Sequence, residues 1–209
     1  MHLKQHKVKV PSDLLKAARE STELATDTAV VTFALEEVLR IKRQQRGVLS
    51  IFELARAHEH ADLDTPGELT RPAVNILIDN SVWHRLSKSG VLQALASIEN
   101  PTIVTATPQV LEYCHSARDP NEYRFASRGM ASFDRLPLDD ECHHIALGFQ
   151  RALWHDGKVR GAGATDILIA AIAHRHQATV VHYDKNFATL ERAVPSFRQR
   201  WIAQPGTID

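Results

Sequence analysis

The sequence predicts an α/β domain with a central parallel sheet flanked by helices, preceded by a small strand-helix-helix module and a helical and extended tail. Three observations carry this reading. From Val74 onward, short apolar runs such as Val74-Asn-Ile-Leu-Ile78 alternate with longer segments of helical period, the rhythm of a parallel sheet. Residues 58 to 73 are polar, acidic and interrupted by Pro66, Gly67 and Pro72, which is linker composition. Residues 1 to 46 carry nine Lys/Arg against six Asp/Glu, whereas 47 to 75 carry two against five, so a basic head precedes an acidic connector. The expected boundaries are 1–46 for the module, 47–73 for the tail and 74–209 for the α/β domain.

Residues 5 to 10, Gln-His-Lys-Val-Lys-Val, alternate as a strand with Val8 and Val10 inward and Gln5, Lys7 and Lys9 outward. Pro11-Ser-Asp13 breaks the strand and caps a helix expected from about Leu14 to Leu24. After Thr26-Asp-Thr28, apolar residues from Val30 to Ile41 recur at helical spacing toward a basic end over 42–46. One strand and two short helices cannot bury a core alone, so this unit is expected to pair with a second copy. Past Gly47, Val48, Leu49, Ile51, Phe52, Leu54 and Ala55 form the apolar stripe of a short amphipathic helix. In the domain, strands are expected near 74–78, 102–105 and 179–182. Helices are expected near 81–97, 108–117, 120–133, 139–155 and 164–176.

With 209 residues and 44% hydrophobic content, the chain can bury one sizeable core beside a small accessory module. Residues 76–209 balance at fourteen charges of each sign, so bulk electrostatics do not draw nucleic acid to the domain. The start lacks the apolar stretch of a signal peptide and no apolar run approaches a membrane span, so a cytoplasmic protein with no membrane partner is expected. Cys114 and Cys142 lack a Cys-x-x-Cys spacing and are expected as buried reduced thiols.

Four acidic residues adjoin apolar runs. Asp79 and Asp184 end expected strands, and Glu112 and Asp166 are expected near helix starts. Parallel sheets bind ligands beyond the carboxyl ends of their strands, which brings these positions to one edge. Two unit charges about 4 Å apart repel by about 4 kcal/mol at an effective dielectric near 20, so converging carboxylates need a cation, a basic partner or a shared proton. A divalent metal, Mg²⁺ or Mn²⁺, answers that need and points to phosphodiester chemistry with a metal-activated water. Ser81 is placed to hydrogen-bond Asp79 or orient a bound water. A competing arrangement, the Glu112-x-x-His115 and Glu141-x-x-His144 pairs of a helical di-iron site, requires a four-helix bundle that the strand patterns oppose. Lys158 and Arg160, among Gly157, Gly161 and Gly163, form a basic loop before Asp166 that could touch a phosphate.

Residues 74 to 197 resemble a PIN-domain ribonuclease of the VapC toxin class through Ile78-Asp-Asn-Ser81, Val110-Leu-Glu112, Thr165-Asp-Ile-Leu-Ile-Ala-Ala171 and Tyr183-Asp-Lys-Asn-Phe187. The resemblance implies a PIN-like fold and a metal-dependent endoribonuclease. In it Asp79, Glu112 and Asp166 bind metal and Asp184 completes or supports the site. Relatives often carry a second acid where Asn186 stands.

Residues 5 to 46 resemble a ribbon-helix-helix module of the VapB antitoxin class through Lys7-Val-Lys-Val10, Leu14-Leu15 and the run from Thr26 to Leu39. That resemblance implies a homodimer or higher homo-oligomer through the N-terminal ribbon. Gln5, Lys7 and Lys9 would read operator DNA, and the helix N-terminus near Thr28 would hold a phosphate. Residues 47–73 resemble an antitoxin tail in which Arg56, with Arg71 as competitor, reaches the acids while Phe52 anchors the helix. The chain as a whole resembles an antitoxin joined to its toxin: a self-inhibited ribonuclease with a DNA-binding head. The alternative is a transcriptional repressor whose PIN domain no longer cleaves.

Overall fold

The computed structural model describes residues 9–22, 24–36, 38–39, 42 and 73–208. The chain divides into two compact units, Met1–Gln45 and Arg46–Asp209.

In the first unit, α1 (Ser12–Thr22) begins two residues before the expected start, because the Pro11 carbonyl already accepts the Leu15 N–H at 3.1 Å. Residues 27–36 form α2. Thr26 caps it, its hydroxyl accepting the Ala29 N–H at 3.2 Å and its carbonyl the Val30 N–H at 3.1 Å. The Arg19 guanidinium donates to the Ala25 carbonyl at 2.8 Å and lies 3.4 Å from Asp27, which ties α1 to the start of α2. Lys9 and Val10 lie in neither helix nor strand. The rest of the strand expected over 5–10, with Gln5 and Lys7, lies outside the described residues. So does the tail over 47–72, with Phe52, Arg56 and Arg71.

The second unit runs β1 (Val74–Ile78), α3 (Asn80–Trp83), α4 (Val91–Ala96), β2 (Pro101–Ala106), α5 (Thr107–His115), α6 (Pro120–Met130) and β3 (Asp134–Leu136). It continues with α7 (Asp140–His155), α8 (Ala164–Arg175), β4 (Thr179–His182), α9 (Lys185–Ala193) and β5 (Gln199–Trp201). All pairings are parallel, in the order β3-β2-β1-β4-β5. Among the described residues no helix is long and apolar enough to cross a membrane.

The alternation of side chains along β1 makes two cores. Ile76 and Ile78 join a layer with Trp83, Leu86, Tyr113 and Met130, while Leu77 joins Val104, Val180, Phe149, Ile169 and Phe187 on the opposite face. Both faces of the sheet are covered, as an all-parallel sheet requires. Each fully buried large apolar side chain contributes roughly 1.5–3 kcal/mol. Trp83 fills the space beneath the end of β1 and donates its indole N–H to the Ile78 carbonyl at 2.8 Å.

The helix expected over 81–97 is two helices, α3 and α4, separated by turns over 84–90. Gly90 caps α4 at φ 84°, a left-handed conformation that stops one helix short of the next. Two strands, β3 and β5, and one helix, α9, were not expected from the pattern. Cys114 and Cys142 are buried free thiols.

Candidate active site

The strand order reverses direction between β1 and β4, and the crevice beyond their carboxyl ends is where an open α/β sheet receives ligands. Asp79 follows β1 directly and its backbone N–H bonds the Val181 carbonyl at 2.9 Å, so the two central strands fix its position. The side chain is 5% exposed. Ser81 donates both its backbone N–H (2.8 Å) and its hydroxyl (2.5 Å) to Asp79 Oδ2, and the same hydroxyl accepts the Tyr183 N–H at 2.9 Å. Burial nonetheless pushes the Asp79 carboxyl up from 3.8 to about 6, against the Ser81 hydrogen bonds and with help from the negative charge of Asp166.

Asp166 occupies the first turn of α8, and its Oδ2 reaches back to the Gly163 N–H at 3.0 Å. A Cβ on Gly163 would stand 3.3 Å from that oxygen, so the small residue makes room for the carboxylate. Asn186 Nδ2 donates to the same oxygen at 2.9 Å from α9. Asp184 caps α9, its Oδ1 accepting the Asn186 N–H at 3.0 Å. Glu112 is exposed in the second turn of α5 rather than near its start, so backbone N–H groups at the helix end do not hold it. The Asn80 side-chain amide does, donating to Glu112 Oε2 at 2.9 Å and to the Gln109 carbonyl at 3.1 Å.

One oxygen of each of the four carboxylates takes these hydrogen bonds. The four are hard oxygen donors, one of them on a carboxyl held partly neutral at pH 6, a set that fits a divalent cation of the Mg²⁺ class. The four are not drawn tightly together. No three of them bring an oxygen within 4.8 Å of one another. The two Glu-x-x-His pairs likewise form no ligand cluster, and the parallel sheet removes the four-helix frame that a di-iron site needs. In the basic loop, the Lys158 ammonium lies 3.7 Å from Asp156, a local pair.

Asn80, Gln109 and His182 are further polar residues here that the acidic pattern of the sequence does not mark. Asn80 was legible only as the polar residue between Asp79 and Ser81, directly after a buried strand. His182 is fully buried and burial lowers its pKa, keeping the ring neutral. Its Nδ1 accepts the Asp184 N–H at 3.1 Å, so Nε2 carries the proton toward Gln199 Oε1 at 2.5 Å.

The raised Asp79 pKa has a consequence for stability. The group favours folding while protonated; its contribution is complete below about pH 4 and is lost as pH rises through about 6. In chelator, the protein is therefore expected to lose about 3 kcal/mol from this group between pH 4 and 7. Asp79→Asn is expected to lack that loss. Denaturant unfolding at both pH values checks it, and identical pH profiles for the two proteins would refute the assignment.

Residues 76–193 match the family model described as PIN domain. Ribonuclease VapC51 of Mycobacterium tuberculosis is 36% identical over 138 residues, covering 66% of this chain and 99% of the relative. Ribonuclease VapC18 of the same organism is 28% identical over 134 residues, covering 63% and 97% respectively. Among solved structures, VapBC-1 from nontypeable Haemophilus influenzae superimposes with a TM-score of 0.52 at 12% identity, over 63% of this chain and 100% of that one, a likeness of fold alone.

Proposed function

The chain belongs to the PIN-domain family of VapC-like ribonuclease toxins, and from that premise we propose that residues 74–209 are an endoribonuclease dependent on Mg²⁺ or Mn²⁺. The carrying observation is the buried Asp79 at the switch point of the sheet, close enough to Asp166 to feel its charge. Asp79, Glu112, Asp166 and Asp184 would hold the cation, with Ser81 orienting Asp79. When bound, the cation supplies a nucleophilic water at neutral pH and offsets charge on the leaving oxygen. Asn80 and Asn186 fix one oxygen each of Glu112 and Asp166, so those acids keep their place without a second acid at position 186. The test is cleavage of RNA by residues 74–209 with Mg²⁺ or Mn²⁺ and its loss in chelator. Cleavage undiminished by chelator would overturn the reading.

Residues 1–46 are, in this reading, a ribbon-helix-helix head that pairs with a second copy and binds operator DNA through Gln5, Lys7 and Lys9. Two features support it. Leu14, Phe33, Leu35 and Leu39 stand exposed, apolar surface that a second copy would cover. Thr28 lies exposed in the first turn of α2, where N–H groups favour a phosphate. Replacing Lys7 and Lys9 with alanine is expected to weaken operator binding and flatten its salt dependence. An unchanged gel-shift affinity and slope would remove the ribbon from that role. Residues 47–73, with Phe52 and Arg56, complete the reading as a tail that covers the acids of its own chain or of a partner copy. The chain thus joins antitoxin and toxin.

A further inference from the structure

We propose that Asp139, Cys142 and His176 form a second metal site, for a zinc-class cation, separate from the carboxylate site. Their ligand atoms lie within 4.8 Å of one another, the one such trio among the described residues. The trio joins distant parts of the fold. Asp139 caps α7 just after β3, Cys142 is fully buried in the first turn of α7, and His176 caps the far end of α8. Asp166 and His176 stand ten residues apart on that helix, about 15 Å at 1.5 Å per residue, so the trio does not share the acids' cation.

The donor chemistry selects the ion. One sulfur, one imidazole nitrogen and one carboxylate oxygen suit Zn²⁺ or Co²⁺, whereas the four carboxylates suit Mg²⁺. Water or the Pro137 carbonyl oxygen is available as a fourth donor: His176 Nε2 lies 2.9 Å from that oxygen and Cys142 Sγ 3.7 Å from it. Without a cation the groups are held by protons instead. The Asp139 carboxylate accepts from the Cys142 N–H at 3.0 Å and lies 3.3 Å from Arg175 Nε. A cysteine binds metal as the thiolate, so the S–H proton leaves to solvent as the sulfur–metal bond forms. Binding therefore releases a proton and tightens as pH rises. The bound ion would clamp the β3–α7 connection to the end of α8.

Cobalt titration of the full chain, stripped of metal by chelator, tests this, because Co²⁺ bound to a thiolate shows a charge-transfer absorption that oxygen ligands lack. The expected result is such a band saturating at one equivalent, displaced by Zn²⁺ and retained in Asp166→Asn. It should vanish in Cys142→Ala. His176→Gln, at a half-buried position, should weaken cobalt binding about tenfold or more and decides the matter if Cys142→Ala does not fold. Absence of the band, its survival in folded Cys142→Ala, or unchanged affinity in His176→Gln would overturn the site.

Discussion

Asp166→Asn in the nuclease domain is expected to lower RNA cleavage by about 10²- to 10³-fold or more, the loss that follows when one preorganised electrostatic group is removed from a reacting centre. The change keeps the size of the side chain and its contacts with Gly163 and Asn186 possible, so folding should survive. Asp79→Asn is expected to lose activity equally while gaining stability at neutral pH in chelator, since the substituted side chain no longer has to be ionised in a buried place. Loss of rate with gain of stability separates a catalytic carboxylate from a structural one, whose removal would lower both. Cleavage time courses at saturating Mn²⁺, paired with thermal unfolding, provide the measurement; most of the activity surviving in either variant would remove that residue from the chemistry.

Separating residues 74–209 from the segment before them is expected to raise ribonuclease activity on the order of a hundredfold. About 17 residues run from Arg56 to Ala73, a reach of at most about 55–60 Å when extended, enough to cross a domain of this size. Tethering at that length sets an effective concentration near 1 mM, so a tail of only ~10 μM intrinsic affinity would occupy its site about 99% of the time. A cut near Pro66-Gly67 alone should activate slowly, in step with dissociation of the tail. Arg56→Glu should release activity without a cut if charge dominates, by exchanging an attraction to the acids for a repulsion, and Phe52→Ala should do so if packing dominates. Equal activity of the intact chain and the freed domain at the same metal concentration would end the inhibitory reading.

The parts of the fold that pattern reveals are those whose burial is continuous. β1 is a five-residue strand with four apolar residues, its last three buried, and α7 carries Cys142, Ala146, Phe149 and Leu153 inward at helical spacing, so both were legible with near-correct bounds. β3 (Asp-Arg-Leu) and β5 (Gln-Arg-Trp) are three-residue edge strands with no fully buried residue, and such strands carry no alternation long enough to read. Turn chemistry in Ser87-Lys-Ser-Gly90 was overridden by the apolar spacing on either side. α9 has nine residues with only Phe187 and Leu190 buried, too few inward positions after its cap, Asp184, to show a period. The acids themselves were legible because a charge beside a buried run demands an explanation. Their amide partners were not, since Asn80 reaches Glu112 across 32 positions of sequence and a neutral side chain gives no hint of such a reach.

The order in which the polypeptide is made now matters. The bond from the Tyr183 N–H to Ser81 joins residues 102 positions apart, and β1 acquires its β4 neighbour only when residues 179–181 exist. Closing a loop of that size carries an entropic cost that only the finished sheet repays. A nascent chain halted anywhere before Tyr183 therefore holds Asp79 without the partner that seats Ser81, and has no assembled centre. Every ribosome that does reach Tyr183 has already synthesised residues 1–73. At no stage of translation does a completed centre exist on a chain that lacks its preceding segment.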